Sequence, residues 1–166
     1  MPNLETERLL IMDFFPEYAA AAAEGIEQLK KVFPYDVSDQ WPNLDFAEIL
    51  SFIADSLAKK PKDSKWTGLI IHKNDRILIG EIGCKGGPNE EGIVDIGYGI
   101  VPDYRGKGYA TEATQEIVSW LFSQSLANMV TADCRHDNIG SQMVLEKAGF
   151  EKYKQDEELI FWRIRN

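Results

Sequence analysis

A stretch of glycines and basic residues lies past the middle of this chain of 166 residues. Residues 105–110 read RGKGYA and directly follow an apolar run, Ile93–Val101. Glycines let a backbone turn tightly and approach a ligand closely, and the free N–H groups at a helix start favour an anion. Because Arg105 and Lys107 add positive charge, the loop is predicted to bind a ligand that carries phosphate.

Two common phosphate-binding loops fit this stretch poorly. A P-loop needs Ser or Thr directly after its Gly-Lys pair to hold magnesium, and here Gly108 follows Lys107. The dinucleotide fingerprint needs a third glycine three residues after the second, where this chain has Thr111. The first class is therefore excluded, and the second is only weakly matched.

The loop joins a predicted strand to a predicted helix, so the elements around it decide what it can reach. Apolar periodicity and turn residues predict four helices, at Pro16–Lys31, Asp45–Lys60, Ala110–Ser123 and Ile139–Ala148. The same signals predict strands at Leu9–Asp13, Trp66–His72, Ile77–Cys84, Ile93–Val101, Met129–Cys134, Phe150–Lys154 and Leu159–Ile164. This order predicts one α+β domain over residues 1–166, with a mixed, mostly antiparallel sheet of about six to seven strands and about four helices.

The loop resembles the coenzyme A pyrophosphate loop of the GNAT superfamily of acetyltransferases, whose pattern is Arg/Gln-x-x-Gly-x-Gly/Ala. Arg105, Gly108 and Ala110 fill that pattern. The resemblance implies that acetyl-coenzyme A is the cosubstrate, without a metal. It also implies a sheet that is splayed at the coenzyme site.

Three further segments resemble the subfamily that includes the ribosomal-protein N-acetyltransferases, the RimJ/RimL-like enzymes. They are the opening 5–10 (ETERLL), the strand segment 95–98 (DIGY), and the pair 138–141 (NIGS) and 146–150 (EKAGF). Three positions depart from the pattern: Met12, Asp95 and Gly99 stand where the subfamily often has arginine, glutamate and a large residue. These departures affect the acceptor side of the site, and Gly99 is expected to widen its floor.

The resemblance assigns coenzyme contacts to one strand end, the loop and one helix start. Backbone groups of Ile100 and Val101 are expected to hold the pantetheine arm and the acetyl carbonyl, and Asn138 to reach the thioester region. Asn138 also fits a simple N-cap, and both roles can coexist. The loop residues expected to hold the pyrophosphate are Arg105, Gly106, Lys107, Gly108, Tyr109, Ala110 and Thr111.

Three side chains are predicted to move protons. The resemblance assigns Ser141 to protonate the leaving thiolate, although a small packing residue is an equal alternative. The carboxylates within strands, Asp95 and Glu81, are the candidate bases, because burial raises a carboxyl pKa toward neutrality. Strand alternation puts Asp95 on the face of Gly99, and Glu81 is a possible neighbour of Asp95. Either carboxylate is otherwise an ordinary strand residue.

Other reactive side chains carry weaker expectations. The hydroxyls of Tyr109 and Tyr153 are alternatives to Ser141 as the proton donor. His136 and His72 are expected at the surface, and both cysteines in the core without a catalytic partner. A group of aromatic residues either lines the acceptor pocket or forms ordinary core: Phe33, Tyr35, Trp41 and Trp66.

Composition limits the partners. The formal net charge is −9, which argues against a nucleic-acid surface and suits a cationic amine, including a basic protein N-terminus. No apolar run reaches membrane-spanning length, and the polar segment Met1–Arg8 does not match a secretory signal. Two cysteines give no disulfide framework, so a reducing cytoplasm is expected. The protein is expected to be a monomer or a homodimer. The rival to an enzyme is a catalytically silent coenzyme-A-binding sensor or interaction module.

Overall fold

The computed structural model describes residues 3–166, so Met1 and Pro2, which begin the predicted domain and the polar N-terminal segment, lie outside the described residues. The described residues form an α+β fold with five α-helices and one mixed sheet of nine strands. The helices are α1 (Pro16–Glu24), α2 (Ile26–Val32), α3 (Leu44–Lys59), α4 (Tyr109–Ser123) and α5 (Ile139–Lys147). The strands are β1 (Leu4–Glu5), β2 (Leu9–Asp13), β3 (Asp36–Val37), β4 (Thr67–His72), β5 (Ile77–Cys84), β6 (Ile93–Ile100), β7 (Met129–Arg135), β8 (Glu151–Gln155) and β9 (Leu159–Arg165).

The strands lie in the order β1-β2-β4-β5-β6-β7-β9-β8, with β3 paired in parallel to β5. All other pairs are antiparallel except β6 with β7. The predicted fold class is therefore confirmed. The strand number exceeds the predicted one because β1 and β3 have two residues each, too few to leave a hydropathy pattern.

The sheet opens between β6 and β7. These parallel strands pair only from Ile93↔Met129 to Asp95↔Thr131, whereas β6 continues to Ile100 along β5. Two strands that share one end and separate at the other leave an opening in the sheet. The splayed sheet implied by the family resemblance is present at this place.

Two predicted helix boundaries were wrong for local backbone reasons. The segment predicted as one helix, Pro16–Lys31, is split at Gly25, whose φ of 144° is not helical. The helix predicted to begin at Asp45 begins at Leu44 and is capped by Asn43, whose side-chain oxygen accepts from the N–H of Phe46 at 3.1 Å. An Asn N-cap satisfies one of the free N–H groups of the first turn.

A continuous apolar core fills the space between the sheet and the helices. Leu9, Ile70, Val94 and Ile117 are fully buried members from four different elements. His72 was predicted at the surface but is buried, with its Nε2 2.9 Å from the hydroxyl of Tyr109. Among the described residues, no helix is long and apolar enough to span a membrane.

Candidate active site

The glycine-rich loop leaves β6 through a 3-10 turn, Pro102–Tyr104, and enters α4. Gly106 and Gly108 have φ values of 71° and 83°, in the left-handed region that suits glycine. Gly108 is the N-cap residue of α4, so the first N–H groups of the helix point out of its end without intrahelical acceptors. The loop has the backbone geometry of an anion site, as its sequence predicts.

A cleft of about 1010 Å³ lies beside this loop. Six of the seven predicted loop residues line it, namely Arg105, Gly106, Gly108, Tyr109, Ala110 and Thr111. Lys107 is the exception. Its ammonium donates to the carbonyl of Asp103 at 3.0 Å and lies over the ring of Tyr104, so the loop folds this cation back on itself.

The strand before the loop presents only one of its two predicted residues to the cleft. Ile100 lines the cleft, and its carbonyl accepts from Nε of Arg105 at 2.7 Å. Val101 is buried, with its N–H donated to Ile79 and its carbonyl accepting from Tyr104. Because both of its backbone groups are engaged within the protein, Val101 offers neither to a coenzyme, and the coenzyme contact of Ile100 stays a prediction.

Glu81 is a buried carboxylate on β5, 5% exposed. Its two oxygens accept from Nε1 of Trp41 at 2.8 Å and from Nδ2 of Asn43 at 3.1 Å. Burial raises the pKa of Glu81 to about 7, although those two donors and the charge of Arg105 act to lower it. A carboxyl group with this pKa exchanges a proton readily near neutral pH.

Gly99 makes room for this carboxylate. It is the register partner of Glu81, and a Cβ atom at Gly99 would clash with Oε1 of Glu81 and the amide of Asn43. The glycine was expected to widen the floor of the site. The structure fills that space with the carboxylate and the amide instead.

Asp95 lies elsewhere on β6. Its carboxylate pairs with Lys85 at 2.7 Å and accepts from the hydroxyl of Thr131 at 3.0 Å, and it does not line the cleft. Because Glu81 pairs with Gly99, four residues further along the strand, the two carboxylates are about 13 Å apart along β6 and are not neighbours. The expectation that Glu81 adjoins Asp95 was wrong.

Ser141 faces a second hydroxyl, which sequence analysis missed. Its Oγ is 2.9 Å from the hydroxyl of Tyr98, and both residues line the cleft. Burial raises the pKa of Tyr98 to about 12, so its proton stays in place at neutral pH. The sequence did carry a signal, because Tyr98 ends the DIGY segment and alternates with the glycines on either side.

Asn138 caps α5, the helix that carries Ser141. Its side-chain oxygen accepts from the N–H of Ser141 at 3.0 Å, and Asn138 also lines the cleft. The capping alternative is therefore present. Because a coenzyme contact can coexist with it, that role stays a prediction.

The two hydroxyls and the carboxylate approach the cleft from opposite faces of the sheet. Adjacent residues of a strand point to opposite faces, so Tyr98 and Gly99 separate the two sides, and Glu81 shares the face of its partner Gly99. The cleft is lined both by Asn43, beside Glu81, and by Ser141, beside Tyr98. It therefore passes through the opening between β6 and β7.

The remaining reactive side chains lie outside this arrangement. The hydroxyl of Tyr109 is bound to His72, and Tyr153 is an exposed residue of β8 that does not line the cleft. His136 is exposed, as predicted, and lies against the carbonyl of Asp156. Both cysteines are buried, and burial raises their pKa values, which keeps the thiols protonated.

The four aromatic residues considered as a possible acceptor pocket belong to the core. Phe33 and Trp41 are buried, and Tyr35 and Trp66 pack against the core. None of the four lines the cleft. Trp41 nevertheless has a polar role, since its indole N–H binds Glu81.

The fold and the loop define an acyltransferase that uses coenzyme A, and comparison with known proteins confirms the class. Residues 8–151 match the model of the acetyltransferase (GNAT) domain family. The chain belongs to the GNAT acetyltransferase family and is an N-acetyltransferase that takes its acetyl group from acetyl-coenzyme A.

Its relatives share nearly the whole chain. The uncharacterized N-acetyltransferase YjdG of Bacillus subtilis is 34% identical over 163 residues, which cover 98% of this chain and 97% of YjdG. The ribosomal-protein-S5-alanine acetyltransferase of Vibrio fischeri superposes with a TM-score of 0.74 at 18% identity, covering 100% and 97% of the two chains. RimL, a ribosomal L7/L12 alpha-N-protein acetyltransferase solved with coenzyme A, gives a TM-score of 0.70 at 15% identity, covering 96% and 95%.

Proposed function

We propose that this enzyme acetylates the α-amino group of a polypeptide whose N-terminal segment is basic. The observation that carries the proposal is the cleft, which is lined by an anion-binding loop and a pair of hydroxyls and also by Asn43, whose side chain binds a buried carboxylate of near-neutral pKa. The loop backbone from Arg105 to Thr111 is assigned to the coenzyme pyrophosphate. Ile100 and Asn138 are assigned to the pantetheine arm.

The proton path follows from the two faces of the cleft. An attacking amine must lose a proton, and Glu81 is proposed as the base. Because Asn43 stands between the carboxylate and the cleft, the proton passes through one water molecule. The leaving thiolate gains a proton through the hydroxyl of Ser141, which is held by Tyr98, while solvent in the cleft returns a proton to the serine oxygen.

A protein N-terminus suits this machinery better than a lysine side chain. An α-amine of pKa about 7.8 is the neutral nucleophile in roughly one molecule of seven at pH 7, whereas a lysine of pKa about 10.4 is neutral in roughly one of 2,500. A base of pKa about 7 that acts through water is a mild one. Such a base suits the α-amine, because a larger fraction of α-amine than of lysine is already neutral at pH 7.

The rim of the cleft supports an acceptor that carries both charge and apolar surface. Asp45, at the start of α3, lines the cleft and is exposed to solvent. Leu44 beside it is 84% exposed, and Met143 on α5 is an exposed apolar residue of the same cleft. A basic residue near the acceptor N-terminus would pair with Asp45, in keeping with the net charge of −9.

A peptide panel tests this proposal. Peptides with a free or a blocked N-terminus, each with and without a basic third residue, are incubated with acetyl-coenzyme A and mapped by mass spectrometry. We expect acetylation at the free α-amine, with a preference for the basic peptide that falls at high salt. Acetylation confined to lysine side chains or to small amines would contradict the proposal.

Asp45→Asn supplies the matched comparison. The variant should raise KM for the basic peptide about threefold and leave the neutral peptide unchanged, as expected for an exposed charge pair worth up to about 1 kcal/mol. Asp55→Asn is the control, because it removes the same charge from the same helix about 15 Å further from the cleft.

Coenzyme binding without acetyl transfer to any amine would favour the silent coenzyme-binding module.

A further inference from the structure

The N-terminal segment of the chain is bound to the coenzyme loop through one arginine. Arg8 donates from Nη1 to the carbonyl of Lys107 at 2.9 Å, and its guanidinium lies 4.4 Å from the centre of the Tyr109 ring. Its Nε and Nη2 both bind Oε2 of Glu112 on the first turn of α4, at 2.7 and 2.6 Å. A single side chain thus joins three parts of the loop and helix start.

Glu112 holds the other end of this connection. Besides the Arg8 side chain, its carboxylate accepts from the backbone N–H of Arg8 at 3.0 Å and from the hydroxyl of Thr6. Burial raises the pKa of Glu112, but these donors outweigh it and hold the pKa below its usual range. Glu112 is therefore ionised at neutral pH and forms an ion pair with Arg8.

The hydrogen bond to Lys107 fixes the direction of one peptide group. The peptide unit between Lys107 and Gly108 is planar and trans, so holding its carbonyl toward Arg8 turns the Gly108 N–H the opposite way. Gly106 and Gly108, both with positive φ, lie on either side of Lys107, and glycine loses more conformational freedom than any other residue when it is fixed. A loop of this composition would otherwise have to be ordered by the coenzyme.

We propose that Arg8 is a coenzyme-positioning residue, which holds the loop 105–111 in its anion-binding conformation before the coenzyme arrives. Arg8 does not line the main cleft but lines a second, smaller pocket with Gly108 and Thr111, so it acts at the loop and not on the reacting atoms. Preorganisation raises affinity by removing an ordering cost from the binding step. The inference rests on the proposed role of the loop as the pyrophosphate site.

The test compares acetyl-coenzyme A with acetyl-pantetheine, which lacks the pyrophosphate and the nucleotide. Arg8→Ala should lower kcat/KM for acetyl-coenzyme A about tenfold, through KM, and change kcat/KM for acetyl-pantetheine less than twofold, because a preorganised loop benefits only the ligand that touches it. Isothermal titration with coenzyme A should give a matching loss of affinity. Equal losses with both donors, or no loss with either, would overturn the proposal.

Two other variants separate this effect from general destabilisation. Lys73, which follows β4, donates to Glu5 and to the carbonyl of Thr6, so Lys73→Ala removes a cation that binds the same N-terminal segment without touching the loop. It should leave coenzyme affinity unchanged. Arg8→Lys keeps the charge but cannot bind Lys107 and Glu112 in one fork, so an intermediate loss is expected even if Arg8→Ala fails to fold.

The result also distinguishes the two proposals. If Gly108→Val weakens coenzyme A binding while Arg8→Ala and Arg8→Lys do not, the loop is the pyrophosphate site and only the role of Arg8 is wrong. If none of the three changes affinity, the assignment of the loop itself is wrong.

Discussion

At the residue scale, the site depends on side chains whose hydrogen bonds hold one another in place and affect their proton affinity. Tyr98 and Ser141 share a hydrogen bond, and Asn138 fixes the backbone of Ser141. Glu81 is held between Trp41 and Asn43 in a buried position that raises its pKa to about 7. In both groups a neighbour from a distant part of the chain sets the chemistry of the reactive atom.

Removing the Ser141 hydroxyl should slow turnover more than it weakens coenzyme binding. General acid catalysis typically contributes about 10²–10⁴-fold, so we expect Ser141→Ala to lower kcat by about 100-fold with coenzyme affinity changed less than threefold. Tyr98→Phe should give a smaller loss of kcat, because it only releases the serine from its partner. Single-turnover thiol release, followed over a range of acetyl-coenzyme A concentrations, measures the rate of the chemical step and the coenzyme affinity for each variant.

Tyr153→Phe is the matched control for these variants. It removes the same hydroxyl from an exposed position outside the cleft and should leave kcat unchanged. Full activity of Ser141→Ala, with chemistry as the slow step, would reduce the serine to a packing residue.

The pKa of Glu81 predicts a pH-dependent effect of Glu81→Gln on catalysis. Below pH 7 the wild-type carboxyl is mostly protonated and cannot act as a base, so the wild-type kcat/KM should exceed that of the glutamine variant only slightly. The ratio of wild-type to variant kcat/KM should therefore rise with pH and level off above about pH 7, and this ratio cancels the ionisation of the acceptor amine. Asp95→Asn, the control on the other strand carboxylate, should give a ratio that does not vary with pH.

The same pKa makes a prediction about stability. A carboxyl whose pKa is higher in the folded state binds more protons there than in the unfolded state, so its contribution to stability falls as pH rises from about 4.5 to 7. A shift of this size corresponds to about 3 kcal/mol. Denaturant unfolding at pH 4 and pH 8 should show Glu81→Gln gaining about that much relative to the wild type, and a pH-independent difference would place the pKa near its ordinary value.

At the element scale, the loop between β6 and α4 combines two opposed requirements. Positive φ at Gly106 and Gly108 lets the backbone turn its N–H groups toward an anion. The same glycines give the loop more conformational entropy to lose when it is ordered. The N-terminal segment binds the loop through Arg8, and Glu112 on the first turn of α4 holds Arg8 in place. The elements on either side therefore supply the rigidity that the loop sequence lacks.

Gly108→Val should abolish coenzyme A binding while the protein still folds. A side chain would block the approach of the pyrophosphate to the backbone, and a β-branched residue at φ 83° costs about 1–2 kcal/mol. Gly86→Val is the matched control, because Gly86 has nearly the same φ, 81°, and lies in the turn after β5 with open space around it. It should lose similar stability and bind coenzyme A normally, as measured by titration calorimetry and thermal unfolding.

At the scale of the whole molecule, the cleft passes through a sheet that is continuous elsewhere. Strands β1 to β6 with α3 provide the carboxylate and Tyr98, and α5, which follows β7 across the opening, provides Ser141. A ligand that fills the opening contacts both sides. Binding should therefore stabilise the entire fold and not one loop.

Thermal unfolding measures this linkage. Acetyl-coenzyme A at a hundredfold excess over its dissociation constant should stabilise the protein by about 2.7 kcal/mol. That gain corresponds to an increase in Tm of roughly 5–10 °C for a chain of this length. ATP with magnesium and NAD should give no increase, and a shift with either of them but not with acetyl-coenzyme A would contradict the assignment of the loop.

The sequence by itself determined the fold class, most element bounds and the coenzyme loop, because these depend on local properties. Strand Ile77–Cys84 was predicted with its exact bounds from its apolar run and flanking turn, and the loop from glycines and charges within six residues. Local backbone preferences and hydrophobic periodicity depend on residues that are close together in the sequence.

Only the tertiary structure decided which reactive groups meet. The sequence offered both Asp95 and Glu81 as candidate bases, but the register of β5 against β6 placed Glu81 beside Gly99 and left Asp95 with Lys85. Burial and hydrogen-bond partners set a pKa, and both come from residues tens of positions away. The pairing of Tyr98 with Ser141, 43 residues later, has the same cause.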